Sequence, residues 1–159
     1  MGTEQVNVQS GELNIDNITM EFNTVSGDRM KALDHVSLNV AHGELVAVVG
    51  RSGCGKTTLL NIVAGLIKPT DGSCRLNGKE IEGPSRERGV VFQADAVFGW
   101  KRVGENVDFA LKLGGVPKSE RKELIVQYLR LVNLEKFEHF YPKELSGGMR
   151  KRLQIAMVL

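Results

Sequence analysis

The chain has 159 residues, room for about one domain, and its 42% hydrophobic and 25% charged make-up is that of an ordinary globular protein. A formal net charge of +2 is too small to argue for nucleic acid as a partner. No run approaches the ~20 apolar residues of a membrane-spanning helix, the polar residues 1–10 lack the core of a signal peptide, and Cys54 and Cys74 show no metal-ligand spacing, which fits a reducing, cytosolic compartment.

After a polar tail at residues 1–12, residues 13–22 (LNIDNITMEF) alternate apolar and polar side chains and predict a half-buried strand. Ser26, Gly27 and Asp28 make a turn, and Val36, Leu38 and Val40 alternate again, as an edge or antiparallel strand would. His42 and Gly43 then lead into residues 45–49 (LVAVV), a continuous apolar run of the kind buried on both faces in a parallel sheet. A glycine-rich loop follows, then residues 58–66 at helical spacing, with Gly65 near the helix end and Pro69 past it. Residues 74–77 predict a short strand that turns at Asn77-Gly78, and residues 89–92 (GVVF) a second buried strand.

Residues 103–113 predict a helix that Gly114, Gly115 and Pro117 break. Ser119 can cap the next helix, with Glu120 and Glu123 in its first turn and an apolar stripe of Leu124, Ile125, Tyr128, Leu131 and Val132. These two helices form a small insertion beside the sheet. After Pro142, Leu145-Ser146-Gly147-Gly148 opens a final helix, which runs apolar to Leu159 without a glycine or a cap, as an incomplete chain would.

The loop Gly50-Arg51-Ser52-Gly53-Cys54-Gly55-Lys56-Thr57 fits G-x-x-x-x-G-K-[ST] at every fixed position. Glycines let successive backbone N–H groups turn inward as an anion nest at a helix N-terminus. Lys56 reaches the β- and γ-phosphates as a point charge, Thr57 offers its hydroxyl to Mg²⁺, and Thr58 continues the first turn. Cys54 reads as a small packing residue rather than a nucleophile. The fold class is therefore α/β, a P-loop NTPase-type parallel-sheet core with an N-terminal antiparallel β-subdomain and a helical insertion. No Asn-Lys-x-Asp base-recognition motif of a GTPase is present.

Leu145-Ser146-Gly147-Gly148-Met149 resembles the signature motif of ABC ATPases. Ser146 lies 53 residues after Gln93, and Gln93 lies 37 after Lys56, in the family's order of phosphate loop, glutamine loop and signature. The resemblance covers residues 13–159 and divides them into a β-subdomain with the phosphate-loop core (13–93), a helical insertion (94–145) and a signature helix (146–159) with the last part of the core missing. It implies a cytoplasmic ATP-binding subunit, peripheral on the inner face of the membrane. Two copies sandwich ATP head to tail, between Lys56 of one and Ser146 of the other, and drive transmembrane permease subunits. It implies that Gln93 touches Mg²⁺ and the attacking water. Phe22 either stacks on adenine or packs as a core residue.

Residues 81–84 (IEGP) and 87–93 (ERGVVFQ), followed by Trp100, are similar to importers for nitrate, sulfonate and taurine. Trp100 then either faces a coupling helix of the permease or packs on the surface. Lys151 and Met157 depart from the family's usual Gln and Arg, on a helix that faces the nucleotide interface or the core. The family's Asp-Glu strand and switch histidine are not in this sequence. Asp95 is a poor substitute for that pair, and His35, His42 and His139 all precede the signature. Two other readings are a shortened module that binds ATP without splitting it and an ABC ATPase that works away from membranes. The short insertion and small net charge disfavour the latter.

Overall fold

A computed structural model describes residues 12–25, 27–94 and 96–159. The expected tail over residues 1–12 lies almost wholly outside these, as do Ser26 of the first turn and Asp95. The chain divides into two units, Met1–Ser85 and Arg86–Leu159.

The first unit is built on an antiparallel four-stranded sheet of order β2-β1-β3-β4. Strand β1 spans Leu13–Asn23 and β2 spans Arg29–Val40, both longer than the alternation alone predicts. They pair from Leu13 with Val40 to Asn23 with Arg29, and irregularities near Ile18 and Met20 absorb unequal lengths. Asn17 (φ 53°) and His35 (φ 51°) sit at those kinks. On its other side β1 pairs with β3 (Asp71–Leu76), which turns into β4 (Lys79–Glu80). Asn77 (φ 53°) and Gly78 (φ 74°) supply the two positive φ angles that a type I′ hairpin requires. Alternate residues of β1 to β3 turn Ile15, Ile18, Leu33 and Cys74 onto Leu59 and Ile62 of helix α1 (Lys56–Val63). The helix stops where Gly65 takes φ +77°: Gly65 N–H donates to Ile62 O and Leu66 N–H to Asn61 O, so a Schellman cap ends it earlier than the apolar run does.

Two expected strands do not form. Residues 45–49 and 89–92 carry no sheet ladder among the described residues. Leu45 is 95% exposed and Val49 87%. A strand needs a hydrogen-bonded neighbour about 4.8 Å away on at least one side, and no described segment supplies one.

The second unit is helical. Helix α2 (Val103–Leu113) has the bounds the sequence predicts; α3 spans Lys118–Leu131 and α4 Gly147–Val158. Their apolar faces meet in a core that includes Val103, Val107, Leu129, Leu134, Leu145 and Leu153. Two details of α3 differ from the expectation. Pro117 holds the N-cap position, because its fixed φ of −57° suits a helix entry, and Ser119 lies inside the first turn, where Glu120 is the acidic residue. Of the expected stripe, Leu124, Ile125, Tyr128 and Val132 pack in this core, but Leu131 is 63% exposed, and Leu129, outside the stripe, is fully buried. Leu134, beyond the helix end, joins the same core, so periodicity sets the inward direction and packing adjusts it at the C-terminal turn.

Candidate functional site

The phosphate-loop motif sits where the sheet meets α1. Gly53 (φ +80°) and Gly55 (φ +91°) adopt the left-handed backbone that glycine alone enters freely. Gly55 is also confined: a Cβ there would come within 2.5 Å of Ala32 O on β2 and 2.7 Å of Leu33 Cδ2. No side chain caps the first turn of α1 at Gly55. Its leading N–H groups therefore face outward beside the loop, at the positive end of the helix dipole.

Lys56 Nζ folds across the loop and donates to Gly50 O at 2.8 Å and Arg51 O at 2.7 Å, with Cys54 Sγ at 3.5 Å. Cys54 is exposed, so it does not serve as the packing residue that the sequence suggested; Cys74 is the buried one. Ser52 and Thr57 are exposed and Thr58 is half-buried. Uncapped helix amides, an ammonium held on the loop carbonyls and an exposed hydroxyl make a set of donors that fits an anion. Phe22 pairs with Met30 near the end of the β1–β2 ladder, lies outside the apolar core and is 36% exposed.

In the helical unit Ser146 is the N-cap of α4, and its Oγ accepts from Met149 N–H at 3.3 Å. Leu145 is buried in the core, and Arg150 Nη1 donates to its carbonyl at 2.7 Å, which anchors the motif from below. Gly147 and Gly148 are exposed, and a Cβ on Gly148 would meet nothing within 4 Å. Among the described residues, no close contact requires glycine at Gly148. Its absent side chain leaves the helix start accessible from outside. Helix α2 shows the contrast: Phe140 O and Glu138 O accept its first amides, from Val103 and Gly104, at 2.8 and 2.9 Å.

Gln93 is exposed, and its main chain is tied to α4: Lys151 Nζ donates to Phe92 O and Gln93 O. Trp100 stands 76% exposed, its ring edge-on to Phe98 with centroids 5.4 Å apart. The turn that presents it is fastened by a residue the sequence reading passed over. Asn106, fully buried, accepts from Phe98 N–H at 2.8 Å and donates to Phe98 O, Lys101 O and Arg102 O at 2.9–3.2 Å. Its signal was available: an Asn between Val103 and Val107, on the inward face of α2, has to spend its amide on backbone.

Residues 33–159 match the family model described as ABC transporter. The chain is 49% identical over 150 residues to an uncharacterised ABC transporter ATP-binding protein of Methanocaldococcus jannaschii, covering 93% of this chain and 55% of that protein. It is 48% identical over 147 residues to a taurine import ATP-binding protein of Roseobacter denitrificans, covering 92% of this chain and 55% of that protein. The chain thus spans about half the length of the curated relatives it matches. Among solved structures, a dimeric post-hydrolysis state of an ATP-binding cassette bound to ADP and Pi superposes with a TM-score of 0.79 at 30% identity, over 92% of this chain and 68% of that one. A cassette from Clostridium perfringens, part of an ABC transporter complex, gives 0.78 at 26% identity over 95% and 62%.

Proposed function

The chain belongs to the ABC transporter family, and from that premise we propose that it is the ATP-binding part of an importer subunit that couples ATP binding and hydrolysis to uptake of a small solute of the nitrate, sulfonate or taurine kind. The names of its relatives support the importer assignment. The observation that carries the nucleotide site is Lys56, whose ammonium rests on the carbonyls of Gly50 and Arg51 at the mouth of an uncapped helix start.

The polyphosphate of ATP lies over the amides of residues 50–57, and Lys56 turns from the loop carbonyls to the β- and γ-oxygens. Phe22 stacks on the adenine. Among the described residues no group of three His, Cys, Asp or Glu can hold a metal alone. Mg²⁺ takes few protein ligands and completes its shell with phosphate oxygens and water; the Thr57 hydroxyl would serve as one such ligand, and the family resemblance gives Gln93 a contact with the ion. Mg²⁺ held in this way would supply positive charge to offset that of the phosphates.

A second copy docks head to tail, with Ser146, Gly147 and Gly148 presenting their open helix start to the γ-phosphate in the first copy's loop. The cassette bound to ADP and Pi supports this reading, being described as a dimer. No helix among the described residues is long and apolar enough to cross a membrane. The subunit meets the membrane through separate permease subunits on the cytoplasmic face, with Trp100 in the contact surface. Titration of ATP–Mg²⁺ into the chain tests the site: Lys56→Ala abolishes the binding that the wild type shows, and equal affinity in both would discard the assignment.

A further inference from the structure

Lys151 departs from the family's usual Gln, and its side chain reaches far back along the sequence. The ammonium donates to Phe92 O and Gln93 O and stands 3.4 Å from Ala94 O. Gln154, three residues on and on the same face of α4, donates Nε2 to that same Ala94 oxygen at 3.2 Å and is itself 3% exposed. One helix face therefore holds three consecutive carbonyls of a segment that has no sheet ladder. Carbonyls need partners, and a charged donor makes hydrogen bonds roughly twice as strong as a neutral one. A glutamine at position 151 would end one bond sooner and offer fewer donors, and could not span the same three oxygens.

We propose that Lys151, seconded by Gln154, is a positioning residue that fixes the main chain at Gln93 to α4, so that Gln93 and the signature residue Ser146 at the N-cap of the same helix shift as one piece. The functional consequence rests on the nucleotide reading of Gln93 given above; the clamp itself does not. The charge substitution at position 151 thereby becomes a gain of a link between the glutamine loop and the signature helix, rather than a loss at a dimer contact.

The test reads the carbonyls directly by nuclear magnetic resonance on the full 159-residue chain. Phe-Gln, Gln-Ala and Phe-Ala each occur once in the sequence, at Phe92–Gln93, Gln93–Ala94 and Phe109–Ala110. Labelling the carbonyl carbon of the first residue and the nitrogen of the second therefore isolates one peak for each. Lys151→Met and Lys151→Gln should move the Phe92 and Gln93 carbonyl resonances upfield, Lys151→Arg should return them towards the wild-type positions, and Phe109 should stay in place throughout. Unmoved Phe92 and Gln93 resonances in Lys151→Met would overturn the proposal. So would a Phe109 shift of equal size, because the change would then be a general loss of structure. Gln93→Ala in the wild-type background separates the two levels. If it leaves ATP–Mg²⁺ affinity unchanged while the Phe92 carbonyl still answers to Lys151, the nucleotide role of Gln93 falls and the clamp stands.

Discussion

Replacing Asn106 with Ala gives a sharp quantitative test of the helical unit. The side chain makes four hydrogen bonds to backbone. Two of the groups keep another partner when it goes: Phe98 O still accepts from Lys101 N–H at 3.0 Å, and Arg102 O from the main-chain N–H of residue 106 at 2.9 Å. Phe98 N–H and Lys101 O lose the partner they have. An orphaned buried group costs about 1–3 kcal/mol. Both residues are only half-buried, so water recovers part of it and the total falls near 2–3 kcal/mol. With a urea slope of about 1 kcal/mol per molar for a unit this small, the midpoint drops by roughly 2–3 M. Trp100 is the single tryptophan and lies in the turn that Asn106 fastens, so its fluorescence reports the transition without a label. Asn106→Ala should also red-shift native emission as the Phe98 contact loosens. A midpoint within about 0.5 M of the wild type, with unchanged emission, would refute the view that this asparagine holds the turn.

Other outcomes follow from the same structure. Gly55→Ala should cost about 1–2 kcal/mol for the left-handed backbone and a further 1–3 kcal/mol for the Cβ pressed on Ala32 O; near-wild-type thermal stability would contradict the close approach. Ser146→Ala should cost about 1 kcal/mol and Ser146→Gly only a few tenths, a ranking that denaturant titration checks. Leu45→Lys and Val48→Lys, at residues 95% and 43% exposed in an unpaired apolar run, should raise the soluble fraction in a sedimentation assay; no gain would mean that the run is not what drives association. Finally, the hydrogen bonds from Lys31 and then His35 hold the Asp34 carboxyl below its ordinary value of 3.8. A depressed carboxyl favours the folded state above the unfolded pKa, and the effect fades as pH falls through the folded pKa. Carboxyl resonances should show the low midpoint, and added salt should raise it.

How much was legible in the sequence depends on how local each feature is. The β1–β2 hairpin, the Asn77-Gly78 turn and helix α2 follow from patterns a few residues long, because side-chain alternation, positive φ and helical spacing are set by neighbours in the chain. The phosphate loop and the Ser146 cap are legible for the same reason: each is a local backbone shape that certain residue types permit. What is non-local was misjudged or passed over. The apolar runs at residues 45–49 and 89–92 have strand composition, yet composition supplies no neighbour to bond with. Leu131 fits the stripe of α3, but Leu129 and Leu134 take the core. Asn106 looked ordinary, and Lys151 stood out only as a departure from the family's usual Gln, because their partners are invisible in a linear reading: the carbonyls that Lys151 holds lie 57 to 59 residues away. The sequence alone determined the local backbone shapes, a glycine-rich loop that leads into α1 and a capped glycine pair at α4, because both are written in short-range backbone preferences. Tertiary structure decided what fastens the glutamine loop and the Trp100 turn, because buried carbonyls take whichever donor the packing of distant helices brings within reach.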